Sequence, residues 1–324
     1  MTANEIRERM NLSGGRREPF LFGVDFELTK GFFIPSPLQQ QDILFEVGGV
    51  TNVPESKNVP TGGLFERHPV SREEYERKFN VVRQGLMRGD SFLLNLTVAT
   101  ALETDWTLEG IFYRARSPYR LLVPGEFVCF SPEIFVRIKD GVISSFPMKG
   151  TIDARVPDAE RVILEDYKER AEHYTIVDLI RNDLNRVAER VRVPRFRYID
   201  RLGTSNGEIL QVSSEVAGDL TGDCFSRLGD IVFGLLPAGS ISGAPKPSTL
   251  NIIARAEKEP RGYYTGVFGY FDGEGFDSAV MIRFIEQRDG KFYFRSGGGI
   301  TINSDREAEY KEVLEKVYLP FCDN

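Results

Sequence analysis

Three Asp-Gly dipeptides, each set between runs of apolar and β-branched residues, limit what this chain can fold into more than any other feature. Asp-Gly suits the left-handed backbone of a tight hairpin turn. Asp140-Gly141, Asp272-Gly273 and Asp289-Gly290 therefore each predict two antiparallel strands joined directly. The first joins residues 134–138 to 142–146; the others divide 266–299 into strands near 267–271, 277–286 and 291–296. Hairpins interleaved with helical segments are not a strict βαβ alternation. The expected class is α+β, with large antiparallel sheets flanked by helices.

Around these hairpins the other elements follow from local signals. Residues 1–19 are polar and expected to dock loosely. Residues 20–28 alternate as a strand, with Phe20, Phe22, Val24 and Phe26 on one face. Residues 48–63 read as a loop. Ser71 and Glu74 form a capping box for a helix ending near Arg88, and 91–100 is a strand. Asp158 is placed to cap one long helix reaching Val187, with Tyr167, Ala171, Tyr174 and Val177 in helical rhythm. Residues 192–199 look briefly extended, and 211–220 are ambiguous, with some helical spacing. Ser304 and Glu307 form a capping box for a last helix that ends before Pro320.

Composition excludes several classes. A chain of 324 residues with 41% hydrophobic and 27% charged residues fits one large globular unit or two average ones. The net charge of −7, with a pI near 5.2 and no long basic run, argues against nucleic acid as a partner. The sequence offers no apolar run expected to cross a bilayer, and charges occupy the place of a signal peptide's centre, so the cytoplasm is the expected location. Cys129, Cys224 and Cys322 are odd in number and scattered, as ordinary thiols in a reducing compartment would be. His68 and His173 are too few for a histidine-rich metal centre.

Candidate chemistry gathers after the first hairpin. Pro147 lacks an N–H and should end the ladder, which leaves Lys149 at the strand's end before Gly150 and Thr151. There it is either a solvated loop residue or a catalyst. Glu133, just before the hairpin, could meet Lys149 in one cavity as general acid and nucleophile, or as a plain ion pair. Glu169 and Glu172, spaced i, i+3, share a helix face, and Glu309 and Glu312 repeat the spacing with Lys316 one turn on. Either pair alone reads as a solvated surface; two pairs facing each other would make a hard-oxygen site suited to Mg²⁺. Gly297, Gly298 and Gly299 form either a simple turn or a backbone anion nest. Arg283, mid-strand among apolar neighbours, needs an internal acid or a substrate carboxylate. Residues 239–246, GSISGAPK, lack the GxxxxGK[ST] spacing, which excludes a nucleotide phosphate loop.

Together, SPEIFVRI, PMKGT, ERAEHYTIVDLIRNDLNRVA, LLPAGSISGAPK, RGYYTGVFGYFD, AVMIRF and SGGGITINSDREAEYKEVLEKV resemble the chorismate-utilising enzymes, in order, over about residues 70–319. PMKGT is similar to the form in aminodeoxychorismate synthase component I, whereas anthranilate synthases usually carry Ala at the position of Lys149. Isochorismate and salicylate synthases have a water-activating lysine where this chain has Leu93, so hydroxyl transfer is disfavoured. The resemblance implies two packed antiparallel sheets flanked by helices in a single chorismate-binding unit, residues 1–324, with a reduced N-terminal region, 1–69, and no tryptophan feedback.

It also implies roles. Glu172 and Glu312 would hold Mg²⁺, supported by Glu169 and Glu309. Tyr264, Arg283, Gly297–Gly299 and Lys316 would hold the substrate, and Gly150 and Thr151 would line its ring. Lys149 would be the nucleophile and Glu133 the acid. Gln211 departs from the family, which usually has histidine before the Val-Ser element. The implied reaction joins chorismate and ammonia into 4-amino-4-deoxychorismate, a precursor of p-aminobenzoate and folate. The alternatives are an anthranilate synthase or other chorismate enzyme, and a weakly active chorismate-binding partner subunit. No glutaminase segment is recognisable, so ammonia is expected from solution or from a separate glutamine amidotransferase subunit.

Overall fold

Two of the Asp-Gly dipeptides form the expected two-residue turns. Asp140 and Gly141 have φ of +51° and +73°, and Asp289 and Gly290 of +50° and +74°, the left-handed pair that a type I′ turn needs. At the third, Asp272 closes a longer loop, its Oδ1 accepting the N–H groups of Glu274 and Gly275 at 2.7 and 2.6 Å. In this computed structural model, which describes residues 1–54, 62–204 and 207–321, the strands form two antiparallel sheets, each of nine strands among the described residues. One runs from Met148–Asp153 through Gly207–Asp219 and Val142–Ser145 to Phe20–Val24 and Gly31–Pro35. The other is centred on Leu93–Thr104 and Lys291–Thr301.

The sheets pack face to face through Leu21, Phe45, Tyr119, Phe127, Phe268, Tyr270 and Phe284. Along Phe20–Val24 every residue is buried, because the two faces meet different layers. Leu21 meets the other sheet, while Phe20, Phe22 and Val24 pack in the core that contains the helices. Leu108, Ile111 and Phe112, on a short helix, join Leu44, Val128 and Phe294 in a core on the other face of the second sheet. Burial of each such large side chain contributes about 1.5–3 kcal/mol.

Several local expectations change. Residues 1–19 are not loose: Ala3–Gly15 is a helix with a full capping box between Thr2 and Glu5, and its Ile6 and Met10 are fully buried. The abundant charges hid this i, i+4 apolar pair. The single helix expected from Asp158 is two, Ala159–Glu165 and Tyr167–Leu184. Asp158 sits at φ +53° without a capping bond, and Asp166 caps the second helix by accepting the Glu169 N–H at 2.8 Å. Of residues 211–220, all but Leu220 belong to the strand Gly207–Asp219, which pairs with three others; its run of buried residues on both faces erased a clean alternation. The segment at 192–199 extends to a strand spanning Glu189–Thr204.

The span 277–286 is not one strand. Phe276–Val280 lies in the first sheet and Phe284–Arg288 in the second, and Met281–Arg283 cross between them. The last helix, Arg306–Glu315, is capped by Asp305, which accepts the Ala308 N–H at 2.9 Å, while Ser304 Oγ accepts from Thr301 N. Ser71 caps Arg72–Met87 as expected, accepting the Glu74 N–H at 3.2 Å. Cys224–Ser242 is apolar and long enough to cross a membrane by composition, contrary to expectation, yet 61% of it is buried among the core helices. Cys129 and Cys224 are buried free thiols; Cys322 and residues 55–61 of the expected loop lie outside the described residues.

The N-terminal helix approaches its neighbour so closely that a Cβ at Gly14 would stand 2.1 Å from the Phe225 carbonyl oxygen, whereas one at Gly15 would meet Ser226 at an ordinary 3.4 Å. Gly14→Ala is expected to lower stability by about 2 kcal/mol or more, and Gly15→Ala to change it by less than about 1 kcal/mol. Urea unfolding of both variants checks the pair; equal effects would contradict the close approach.

Candidate active site

A cavity of about 450 Å³ opens between the two sheets and the helices Tyr167–Leu184 and Arg306–Glu315. Its walls contain every residue that the sequence nominated: Lys149, Gly150 and Thr151; Glu133; Glu169 and Glu172; Tyr264 and Arg283; Gly297, Gly298 and Gly299; and Glu309, Glu312 and Lys316. Leu93 and Gln211 line it too.

Lys149 does not follow the end of a ladder. Pro147 interrupts only briefly, its carbonyl accepting the Ser214 N–H at 3.0 Å, and Met148–Asp153 pairs onward with Gly207–Asp219. Met148 faces Ser213 and Thr151 faces Gln211, so one extra residue is looped out at Lys149-Gly150, a β-bulge with Gly150 at φ +85°. A bulge re-aims a side chain, and Lys149 is presented on it to the cavity. Its Nζ donates to Glu172 Oε2 at 3.1 Å. Burial alone would lower the lysine's pKa. Glu172, with Glu169 and Glu312 behind it, outweighs burial and holds the ammonium above its usual value.

Glu133 is placed by two serines. Its N–H donates to Ser131 Oγ at 3.1 Å, and its Oε1 accepts from Ser240 Oγ at 2.6 Å. Burial pushes its carboxyl upward, partly opposed by the Ser240 hydroxyl and by the charges of Lys149, Arg283 and Lys316. Ser240 was missed in the sequence. It lies in GSISGAPK, which fails as a phosphate loop, but whose turn Gly239–Ser242 forms a wall of the cavity. Lys246 anchors that turn through Asp183 Oδ1 at 2.9 Å and the Leu235 carbonyl at 2.7 Å.

Arg283 is half-buried at φ +52° in the crossing, not buried mid-strand. Among the described residues it has no ion-pair partner, and its guanidinium lies over the Tyr318 ring at 5.6 Å. Gly297–Gly299 are neither turn nor nest but part of the strand Lys291–Thr301, opposite Thr97, Leu96 and Asn95. Their missing side chains make room instead. A Cβ at Gly298 would stand 3.4 Å from Glu309 Oε2 and 3.6 Å from Glu312 Oε1, and one at Gly150 3.3 Å from Glu169 Oε2. Lys316 Nζ donates to Glu312 Oε1 at 2.6 Å and to the Gly297 carbonyl at 2.8 Å.

These four carboxylates, cradled by glycine, are an all-oxygen donor set that fits Mg²⁺. They are not drawn together at one point. Among the described residues, the acid and imidazole groups already within 4.8 Å of one another are Glu66, His68 and Glu103, on an exposed strand pair. In the cavity, the Lys149 and Lys316 ammoniums sit on Glu172 and Glu312.

Comparison with known proteins places the chain in a family and a fold. The chain is 51% identical over 320 residues to a PabA-like protein of Haemophilus influenzae, covering 98% of this chain and 97% of that one. It is 33% identical to aminodeoxychorismate synthase component 1 of Klebsiella aerogenes, over 81% of this chain and 61% of the relative. Among solved structures, anthranilate synthase component I of Streptococcus pneumoniae superposes with a TM-score of 0.65 at 26% identity, over 81% of this chain and 60% of that one. The menaquinone-specific isochorismate synthase of Escherichia coli shares the fold, with a TM-score of 0.73 at 17% identity, over 98% and 81% of the two chains. The model of the chorismate binding enzymes matches residues 37–320, and the chain belongs to that family.

Proposed function

We propose that this chain aminates chorismate at C4, giving 4-amino-4-deoxychorismate. The observation that carries the reading is the bulge that presents Lys149 to the cavity shared with a half-buried acid, Glu133. Leu93, an apolar side chain, stands where water addition would need a base.

Arg283, Lys316 and Tyr264 receive the carboxylates and the enolpyruvyl group, and Gly150 and Thr151 leave room for the ring. Held by Glu172 and Glu312, with Glu169 and Glu309 in support, Mg²⁺ would grip the ring carboxylate and offset the negative charge that now retains the Lys149 proton. With that charge offset the Lys149 ammonium releases its proton to solvent, and the neutral amine bonds to C2. The two ring double bonds shift towards C4, the C4–O bond breaks, and Glu133 gives its proton to the departing oxygen, which leaves as water. Ammonia bonds to C4, the double bonds shift back, the C2–N bond breaks to return the neutral Lys149 amine, and the new C4 ammonium gives one proton back to Glu133. One direct attack by ammonia at C2 would lead instead towards anthranilate. Ammonia comes from solution or from a separate amidotransferase subunit; the names of the "component 1" relatives support a second component.

With chorismate, Mg²⁺ and an ammonium salt, the wild-type protein is expected to form the non-fluorescent 4-amino product, and Lys149→Ala to lose it by roughly a hundredfold or more. Mass spectrometry of the wild type without ammonia should find an adduct on the peptide containing Lys149. No adduct, with near-normal 4-amination by the alanine variant, would remove the nucleophile assignment.

Glu172→Ala and Glu312→Ala are each expected to reduce turnover by on the order of a hundredfold, as is a chelator with the wild type. Full activity of Glu172→Ala in a chelator would show that no metal acts there. Gln211, half-buried opposite Thr151, carries an amide that cannot exchange protons near neutral pH. Gln211→His is expected to be tolerated and Gln211→Ala to be mildly impaired, with kcat as the measurement. Near-complete loss in a folded Gln211→Ala would show that the amide itself holds the substrate.

A further inference from the structure

Asn95 belongs to the strand Leu93–Thr104 and lines the same cavity. Its Oδ1 is buried and has no hydrogen-bond partner among the described residues. A buried acceptor without a donor is costly, and in a wall of a ligand cavity it marks where a ligand's N–H or O–H is received.

The position of Asn95 is fixed from two sides. Residue 297 is glycine, and a Cβ there would lie 2.7 Å from Asn95 Oδ1, so no other residue leaves the amide its place. Behind the strand, Arg261 is 1% exposed and donates Nη2 to the Asn95 carbonyl at 2.6 Å and Nη1 to the Ile241 carbonyl at 2.9 Å. Ile241 follows Ser240, whose hydroxyl donates to Glu133. The same turn continues into Gly243-Ala244, which pairs with Leu94 and Leu93. One guanidinium therefore sets Asn95 and the Ser240 clamp on Glu133 in a common frame.

Chorismate as a dianion has a single hydrogen-bond donor. Its two carboxylates and its ether oxygen only accept, and the C4 hydroxyl alone carries an acidic hydrogen. We propose that Asn95 Oδ1 accepts the hydrogen of the C4 hydroxyl while Glu133 protonates the oxygen of the same group, an assignment that rests on chorismate being the substrate. The departing oxygen then carries its own hydrogen, still bonded to Asn95, and the one from Glu133. As the C4–O bond breaks, the hydroxyl becomes a water with developing positive charge, a stronger donor than the alcohol. The bond to Asn95 is thus stronger in the transition state than in the bound substrate. It also orients the ring, because only one of its six carbons bears a donor.

Calorimetric titration with chorismate and with its 4-deoxy analogue, both with Mg²⁺, separates the possibilities. The wild type is expected to prefer chorismate by about tenfold, the value of one neutral hydrogen bond. Asn95→Leu, close in volume but without an acceptor, should bind both equally and bind the analogue about as the wild type does, which also shows that it is folded. Asn95→Asp, which keeps an acceptor, should retain the preference. If the leucine variant does not fold, Asn95→Ala takes its place with the same expected outcome. A leucine or alanine variant that still prefers chorismate as the wild type does overturns the assignment of Asn95 alone. A wild type that binds neither compound overturns the substrate reading and this assignment with it.

Discussion

A guanidinium with almost no access to solvent ties the walls of the cavity together. Arg261 reaches Glu257 at 2.7 and 2.9 Å, the carbonyls of Asn95 and Ile241, and the face of Phe26 at 4.4 Å. Glu257 passes the constraint on, since its Oε1 also accepts the Thr97 N–H at 2.9 Å. A buried charge persists only where its donors are answered, and here the answers come from a strand of the second sheet, the turn that carries Ser240 and the last turn of the helix Lys246–Glu257. Removing one member of such a pair leaves the other uncompensated, which costs about 3–5 kcal/mol. Replacing both by apolar groups could preserve stability yet lose the frame, because carbonyl groups would no longer be held at fixed points.

The cavity itself is an exercise in opposed charges. Leaving aside the anchoring pair Asp183 and Lys246, five carboxyl groups face Lys149, Lys316 and Arg283. In a protein of net charge −7, a dianionic substrate meets repulsion unless positive charge is concentrated at the point of binding. The lysines cover two of the glutamates. The same local field explains why Lys149 keeps its proton in spite of burial.

How much of this was legible in the sequence depended on the range of the signal. The turns at Asp140-Gly141 and Asp289-Gly290 are decided within four residues, and they appear where expected. The i, i+3 glutamate pairs likewise follow from one helical turn. Errors arose where a distant partner decided the outcome. Gly207–Asp219 has strands on both edges and buried residues on both faces, so its pattern resembles neither period. The passage from Phe276–Val280 to Phe284–Arg288 has no turn residue to announce a change of sheet; Arg283 takes a left-handed backbone there without being glycine. Ser240 was invisible because its partner, Glu133, is 107 residues away. Gly297–Gly299 were legible as glycine but not as absence, the space that missing side chains leave beside Gly297 for an amide and beside Gly298 for two acids.

The bulge at Lys149-Gly150 has a consequence for which changes the chain can absorb. Side chains along a strand alternate in direction, and one looped-out residue restores the parity between Met148 and Thr151 and their partners Ser213 and Gln211. The segment is therefore a counted length. Many substitutions at 148–153 would alter chemistry and leave the sheet in place. Loss of one residue at 149–150 would cancel the bulge and leave a regular ladder, with Thr151 still opposite Gln211, and what would be lost is the side chain that the bulge aims into the cavity. Removal of the looped-out residue thus changes the cavity and spares the register of the sheet.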